Sequence, residues 1–178
     1  MLETERLTVR PLQANDYIDI YEYMSVPETY HFERGNPETL EEGKKFCYEW
    51  AVKDPPNFWV AVLKTESKVI GHVSFFIHGH PDFKTWELGY IFNPKYQNKG
   101  YATEATKAVM KYAFTKLGTH RLVANCSPEN IPSWKIMEKC GMRREGTQKK
   151  NFLIRNDKNG NPIWYDSYSY AILDEEFK

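Results

Sequence analysis

The 178-residue sequence has little cysteine, no surplus of either charge and no long apolar run, and each shortage removes a class of function. Its three cysteines, Cys47, Cys126 and Cys140, are odd in number and widely spaced. They offer neither the close pairs of a zinc site nor a disulfide framework, and read as reduced, mostly buried thiols of a cytoplasmic protein with no metal. Lysine and arginine total 24, aspartate and glutamate also 24, for a formal charge of zero. A general binder of nucleic acid or of membrane surfaces would carry a basic excess, so neither partner is expected. No segment nears the roughly 18 apolar residues of a membrane span. The opening Met1-Leu2-Glu3-Thr4-Glu5-Arg6 has acids where a secretory signal needs bases, which again predicts a cytoplasmic protein. No Pro/Gly/Ser-rich linker and no repeat divides the chain, so residues 1–178 are expected to form one domain, long enough to fill a core.

What is present is a mixed alternation of strand and helix signals. Leu2 to Leu12 suits a first strand, and Asn15-Asp16 offers a cap for a helix carrying Tyr17, Ile20, Tyr21 and Met24. Val26 to Pro37 reads as loop, and Glu38 to Val52 as a second helix. Phe58 to Lys64 and Val69 to His78 flank a polar turn as a hairpin. Trp86 to Phe92 alternates strictly, with Trp86, Leu88, Tyr90 and Phe92 on one face and Glu87, Gly89 and Ile91 on the other. The strongest helical period in the chain runs from Ala102 to Leu117 and stops at Gly118. His120 to Asn125 is a short strand, and Pro132 to Cys140 a short helix capped by Asn130 or Ile131. Arg144 to Ile154 and Ile163 to Leu173 enclose an Asn159-Gly160 turn. This order gives an α/β domain on a mixed sheet rather than a repeating βαβ wind.

Two short runs carry chemistry. Gln97-Asn98-Lys99-Gly100-Tyr101-Ala102-Thr103 lies between a strand end and the strong helix. Up to four amides at a helix start lack intrahelical partners, and the helix dipole adds partial positive charge, so this is a place for an anion. Gly100 permits positive φ or close approach of a ligand, and Lys99 adds a full charge. Read alone, the glycine could equally serve a turn. The second run is Asn130-Ile131-Pro132-Ser133, opening the short helix that Lys139-Cys140-Gly141-Met142 closes.

Together and in this order, the two runs resemble the GNAT superfamily of acetyl-CoA-dependent N-acetyltransferases. The opening Thr4-Glu5-Arg6-Leu7, the Trp86-Glu87-Leu88-Gly89-Tyr90 strand and the closing Asp166 to Leu173 are similar to its ribosomal-protein-alanine N-acetyltransferase branch. The resemblance implies a mostly antiparallel seven-stranded sheet, splayed between its fourth and fifth strands and flanked by about four helices. It implies acetyl-CoA as co-substrate, its pantetheine arm lying in the splay along the backbone of Tyr90, Ile91 and Phe92. Gln97, Asn98, Lys99, Gly100, Tyr101, Ala102 and Thr103 would grip the pyrophosphate, with Asn130 and Ser133 forming the wall beside the arm. The implied partner is an amine, on a protein N-terminus or a small molecule, and the enzyme would be a monomer or homodimer.

An amine attacks a thioester only when neutral. At pH 7 a lysine gives up about 4.6 kcal/mol to become neutral, but an α-amine only about 1.1 kcal/mol, so an α-amine needs the weaker base. Glu87, on a strand face otherwise small or apolar, is the candidate base; pairing with a neighbouring base is the alternative. The departing thiolate needs a proton or a hydrogen bond. Many GNAT enzymes carry a tyrosine four residues before the glycine that ends the short helix, but this sequence has Met137 there. In the branch named above a serine after the asparagine is thought to serve instead, and Ser133 holds that position. The alternative role for Ser133 is that of the helix's N-terminal capping hydroxyl. A covalent route through Cys126 or Cys140 is disfavoured because no base stands ready beside either.

The remaining polar groups are read more plainly. His78, His80 and Asp82 suggest a polar loop rather than a chelate, and His72 a satisfied core histidine. Asp157 to Asn161 is a turn, since its glycine is misplaced for a calcium loop. Lys149, Lys150, Arg143, Arg144 and Arg155 form a solvated strand face. Tyr30, His31 and Phe32 lie in the loop that, by the resemblance, roofs the acceptor site. The expected activity is acetyl transfer to an amine, most plausibly a protein α-amine. The alternatives are a small-amine acetyltransferase and, because of Met137, a non-catalytic acyl-CoA-binding module.

Overall fold

The computed structural model describes residues 1–33 and 36–178; part of the expected 26–37 loop, Arg34 and Gly35, lies outside them. Among the described residues, eight strands form one sheet in the order β1-β2-β3-β4-β5-β6-β8-β7. These are β1 (Leu2–Glu3), β2 (Leu7–Pro11), β3 (Phe58–Leu63), β4 (Lys68–Ile77), β5 (Thr85–Phe92), β6 (Arg121–Cys126), β7 (Arg143–Asn156) and β8 (Pro162–Leu173). Four α-helices accompany them: α1 (Tyr17–Met24), α2 (Leu40–Ala51), α3 (Tyr101–Lys116) and α4 (Ile131–Lys139).

The sheet has one strand more than the seven expected, because the first expected strand breaks in two. Thr4 turns the chain: its amide donates to the Leu7 carbonyl, its hydroxyl oxygen accepts from the Leu7 amide, and β1 folds back antiparallel on β2. No glycine, proline or asparagine marks this turn, which is why the strand pattern ran through it. The other boundaries agree within two residues.

One face of the sheet packs on α3 and α4. The even-numbered residues of β5 (Trp86, Leu88, Tyr90 and Phe92) join Phe75, Val109, Met110 and Met137 in the larger core cluster. The opposite face packs on α1 and α2 through Val60, Val69, Ile20, Tyr23 and Cys47. His72 sits buried there, its Nδ1 2.7 Å from the Tyr23 hydroxyl, and burial lowers its pKa to about 4. It is the satisfied core histidine the alternation suggested.

One pair of neighbours decides where a ligand can enter. Among the described residues strands β5 and β6 are the one parallel pair, and they pair only at Thr85–Arg121, Trp86–Leu122 and Glu87–Val123. Beyond Glu87 they part. Residues 88–92 remain bonded to β4 on one side, while their other backbone edge opens toward the gap.

Candidate active site

A cavity of about 470 Å³ opens at this gap. Its walls are Tyr90, Ile91 and Phe92 from β5, Gln97, Asn98 and Gly100 to Thr103 at the start of α3, and Asn130 to Ser133 at the start of α4. Eleven of the twelve residues expected to meet the cofactor therefore line one cleft; the twelfth, Lys99, does not. Its ammonium lies 5.5 Å from the ring centre of Tyr96, and its carbonyl accepts a hydrogen bond from Arg6 Nη1 at 2.8 Å. The cleft's lysines are instead Lys135 and Lys139 of α4; the motif reading named Lys139 only as part of the helix end and Lys135 not at all. Phe32 and Glu33 close the opposite side.

The start of α3 is shaped for an anion. Gly100 holds φ at +84°, as the helix N-cap, and no side chain caps the first turn. Asn98 also takes positive φ, so the loop turns twice in four residues. Gln97 does not reach into the cleft with its amide; Nε2 donates to the Phe92 carbonyl at 3.0 Å and fixes the loop to the end of β5. From behind, Glu104 in the first turn accepts hydrogen bonds from the Thr4 hydroxyl (2.7 Å), the Arg6 amide (2.9 Å) and Arg6 Nε (2.8 Å). The Arg6 guanidinium lies 4.5 Å from the Tyr101 ring centre. Burial opposes ionisation of Glu104, but the hydrogen bonds from Thr4 and Arg6 outweigh it and hold its pKa below the usual carboxylate value. Thr4 and Arg6, which entered the reading only as part of the opening motif, thus brace the anion loop.

At the other wall, Asn130 caps α4: its side-chain oxygen accepts from the Ser133 amide at 3.3 Å. Ser133 is therefore not the cap, and its hydroxyl is left for other work. Tyr90 reaches across the gap and donates to the Ser133 carbonyl at 2.6 Å, with Ser133 Oγ 3.2 Å away. A phenol has one hydrogen to give. With that hydrogen on the carbonyl, the Ser133 hydroxyl keeps its own proton to donate. Burial raises the Tyr90 pKa, and the opposing hydrogen bond with Ser133 does not cancel it, so the phenol stays neutral. Met137, one turn further, is buried in the core and closed to the cleft.

Glu87 stands at the last paired position before the strands part, on the face opposite Tyr90. Its Oε1 accepts from Asn125 Nδ2 at 3.0 Å, and its Oε2 lies 3.2 Å from His78 Nδ1. Asn125 in turn accepts from the Ser169 hydroxyl at 2.9 Å. None of these partners is a lysine or arginine, so the carboxylate is not spent in a strong ion pair. Nothing in the spacing of Asn125 and Ser169 announced them; they reach Glu87 only through the pairing of β6 with β5 and β8.

The thiols are inert. Burial pushes Cys47 and Cys140 up to about 12, and Cys126 up to about 11 despite the opposing effect of the Ser133 hydroxyl. His80 accepts from the Asp82 amide at 3.3 Å as a loop cap, and no metal-ligating group of three is found among the described residues. On the exposed β7–β8 ribbon Lys149 pairs with Asp166, Arg143 with Glu145, and Arg144 covers the Tyr168 ring, while Arg143 also pairs with Glu176 just beyond β8. Asp157 closes its turn by accepting from the Asn159 and Asn161 amides. Among the described residues no helix is long and apolar enough to cross a membrane.

Comparison with known proteins decides the family. The acetyltransferase (GNAT) domain model matches residues 6–143, well over half of the chain. This chain belongs to the GNAT acetyltransferase family. It is 39% identical over 176 residues to the uncharacterized N-acetyltransferase YnaD of Bacillus subtilis, covering 99% of this chain and 98% of that one. A GNAT-family acetyltransferase from Bacillus anthracis superposes with a TM-score of 0.85 at 38% identity, over 98% of this chain and 99% of that one. The ribosomal protein uS5-alanine N-acetyltransferase of Escherichia coli is 27% identical over 163 residues, spanning 86% and 83% of the two chains. This GNAT protein is accordingly an acetyl-CoA-dependent N-acetyltransferase. In this chain the parting of β5 from β6, the Gly100 loop and the Asn130 helix fall in one cleft.

Proposed function

We propose that this GNAT enzyme acetylates the α-amine of a protein N-terminus in the cytoplasm, with Glu87 as base and Ser133 as hydrogen-bond partner of the departing sulfur. The observation that carries this reading is the position of Glu87: a carboxylate held by the Asn125 amide at the residue where β5 leaves β6. Acetyl-CoA supplies an activated acetyl thioester. The residues present suit it: the free edge of β5 at Tyr90 to Phe92 can hydrogen-bond an amide-bearing arm, and the uncapped start of α3 can receive a diphosphate. Asn98, Gly100, Tyr101, Ala102 and Thr103 would hold that group by backbone amides. Gln97 acts through the shape of the loop, Lys135 and Lys139 add positive charge, and Asn130 sets the start of the wall.

Positioning does most of the work. A bound amine held beside a bound thioester gains the effective concentration that a bimolecular encounter lacks. Glu87 receives the amine's proton through Oε2, the oxygen not engaged by the Asn125 amide. A placed base of this kind is worth roughly 10²- to 10⁴-fold in rate. Ser133, its hydroxyl hydrogen freed by Tyr90, donates toward the sulfur.

The α-amine is favoured over a lysine or polyamine amine because its proton is removed at less cost, within reach of a carboxylate. Likeness to the uS5-alanine enzyme supports the same acceptor class. A screen of N-terminal peptides and small amines with acetyl-CoA, following free thiol, tests it. Turnover on peptides with a free N-terminus, lost when that terminus is blocked, is the expected result; turnover confined to polyamines or antibiotics overturns the acceptor assignment.

A further inference from the structure

A line of side chains runs across three strands to Glu87 and then out to water. Ser169 on β8 donates to Asn125 on β6, Asn125 donates to Glu87 Oε1 on β5, and Glu87 Oε2 meets His78 at 3.2 Å just past β4. The placement of His78 follows from the register. Phe76 lies directly opposite Glu87, and His78, two residues on, shares that face; its amide donates to the Thr85 carbonyl at 2.9 Å and pins the strand end. Half of the His78 side chain is exposed, so one side of it faces a carboxylate and the other faces solvent.

The reaction has a proton to dispose of. An ammonium group enters with three N–H bonds and the product amide leaves with one. One C–N bond forms and one C–S bond breaks; of the two protons released, one ends on the sulfur as thiol and the other must reach water. Glu87 takes up a proton only once, and must lose it before the next turnover.

We propose that His78 relays the proton collected by Glu87 to solvent, acting through Glu87 as a positioning and relay residue rather than on the substrate itself. The two carboxylate oxygens are not equivalent. Asn125 offers Oε1 an amide hydrogen and cannot accept a proton, and Ser169 fixes that amide in the donating orientation. Oε2 is thus the oxygen that no amide occupies, and it is the one beside an imidazole. An imidazole can accept a proton on one ring nitrogen and release one from the other, so it passes a proton without moving far. The inference rests on the assignment of Glu87 as base, and it explains why two histidine-bearing loop positions differ: His80 only caps its own turn, whereas His78 touches Glu87.

The test is turnover with acetyl-CoA and an accepted amine in weakly buffered solution, for wild type, His78→Ala, His78→Asn and Glu87→Gln. CoA affinity and melting temperature are followed in parallel to register folding. The relay predicts that His78→Ala and His78→Asn both lose about tenfold in kcat. CoA affinity should be unchanged, and added imidazole should restore most of the loss in His78→Ala. A variant that keeps a hydrogen-bond donor, His78→Asn, would recover the rate without imidazole if His78 merely held the carboxylate in place, and that recovery overturns the proposal. So does wild-type kcat in His78→Ala, or a loss that imidazole fails to restore. Should Glu87→Gln turn over like wild type, the base assignment fails; loss in Glu87→Gln with none in the His78 variants removes the relay alone.

Discussion

The hydroxyl of Tyr90 donates to the main-chain carbonyl of Ser133 at 2.6 Å, joining the free edge of β5 to the first turn of α4 across the cleft. The bond sets the width of the gap and leaves the Ser133 hydroxyl its own hydrogen. It also gives the tyrosine of the β5 motif a task that its place in an alternating strand did not disclose.

Tyr90→Phe removes this tie while keeping the ring. Loss of one partly buried hydrogen bond costs about 1 kcal/mol, which for a domain this size lowers Tm by about 2–4 °C. Because Ser133 then loses its anchor, kcat should fall further than KM rises. Calorimetric melting and steady-state kinetics check both parts.

Gly100→Ala places a side chain at φ +84°, and its Cβ would stand 3.3 Å from Arg6 Nη2. A left-handed alanine costs about 1–2 kcal/mol. The loop must shift to relieve it, and with it the amides at the start of α3. The expected outcome is weaker CoA binding by calorimetry, with the Glu87 side of the site intact. Equal affinity in wild type and variant would show that this loop does not hold the diphosphate.

Glu104→Gln tests the brace behind the same loop. Glu104 takes three hydrogen bonds from Thr4 and Arg6, and the neutral amide cannot accept all of them. The variant should lose about 1–3 kcal/mol of stability and some CoA affinity, although residue 104 does not line the cleft. Its depressed carboxyl pKa gives a sign as well. The wild-type contribution is complete above pH 4.5 and is lost as pH falls through the folded-state value. The difference in stability between wild type and Glu104→Gln should therefore shrink in acid, as urea unfolding at a series of pH values will record.

His72 dominates a second acid-sensitive interval. Burial lowers its pKa from 6.5 to about 4, so the unfolded chain binds the proton first. Stability is unaffected above pH 6.5 and falls as pH drops from 6.5 toward 4, by up to about 3 kcal/mol. Glu22, held near 2 by Lys68 and then Lys95 against opposing burial, extends the loss below pH 4.5. His72→Gln should flatten the loss between pH 6.5 and 4 and leave the Glu22 loss below pH 4.5, measured by the same unfolding series.

Much of this was legible in the chain itself. Strict alternation from Trp86 to Phe92 placed Glu87 and Tyr90 on opposite faces, and the long apolar period of α3 located the anion loop at its start. Departures arose where partners are distant in sequence. Lys99 sat inside the loop motif and so read as its charge, yet its side chain lies over Tyr96, and the cleft's lysines come from α4. The grip of Thr4 and Arg6 on Glu104 spans about a hundred residues. Asn130, one of the two caps expected for α4, does fill that role, and the alternative of Ser133 as the cap falls. His78 read as loop because its neighbour Glu87 comes from the adjoining strand and no local pattern joins them.

The base assignment is the claim on which the rest turns, and one comparison reaches it directly: acetyl transfer by Glu87→Gln beside wild type, with CoA affinity measured on the same samples. The account predicts a fall in kcat of about a hundredfold or more, with CoA bound as tightly as before. Undiminished transfer by the glutamine variant would contradict it.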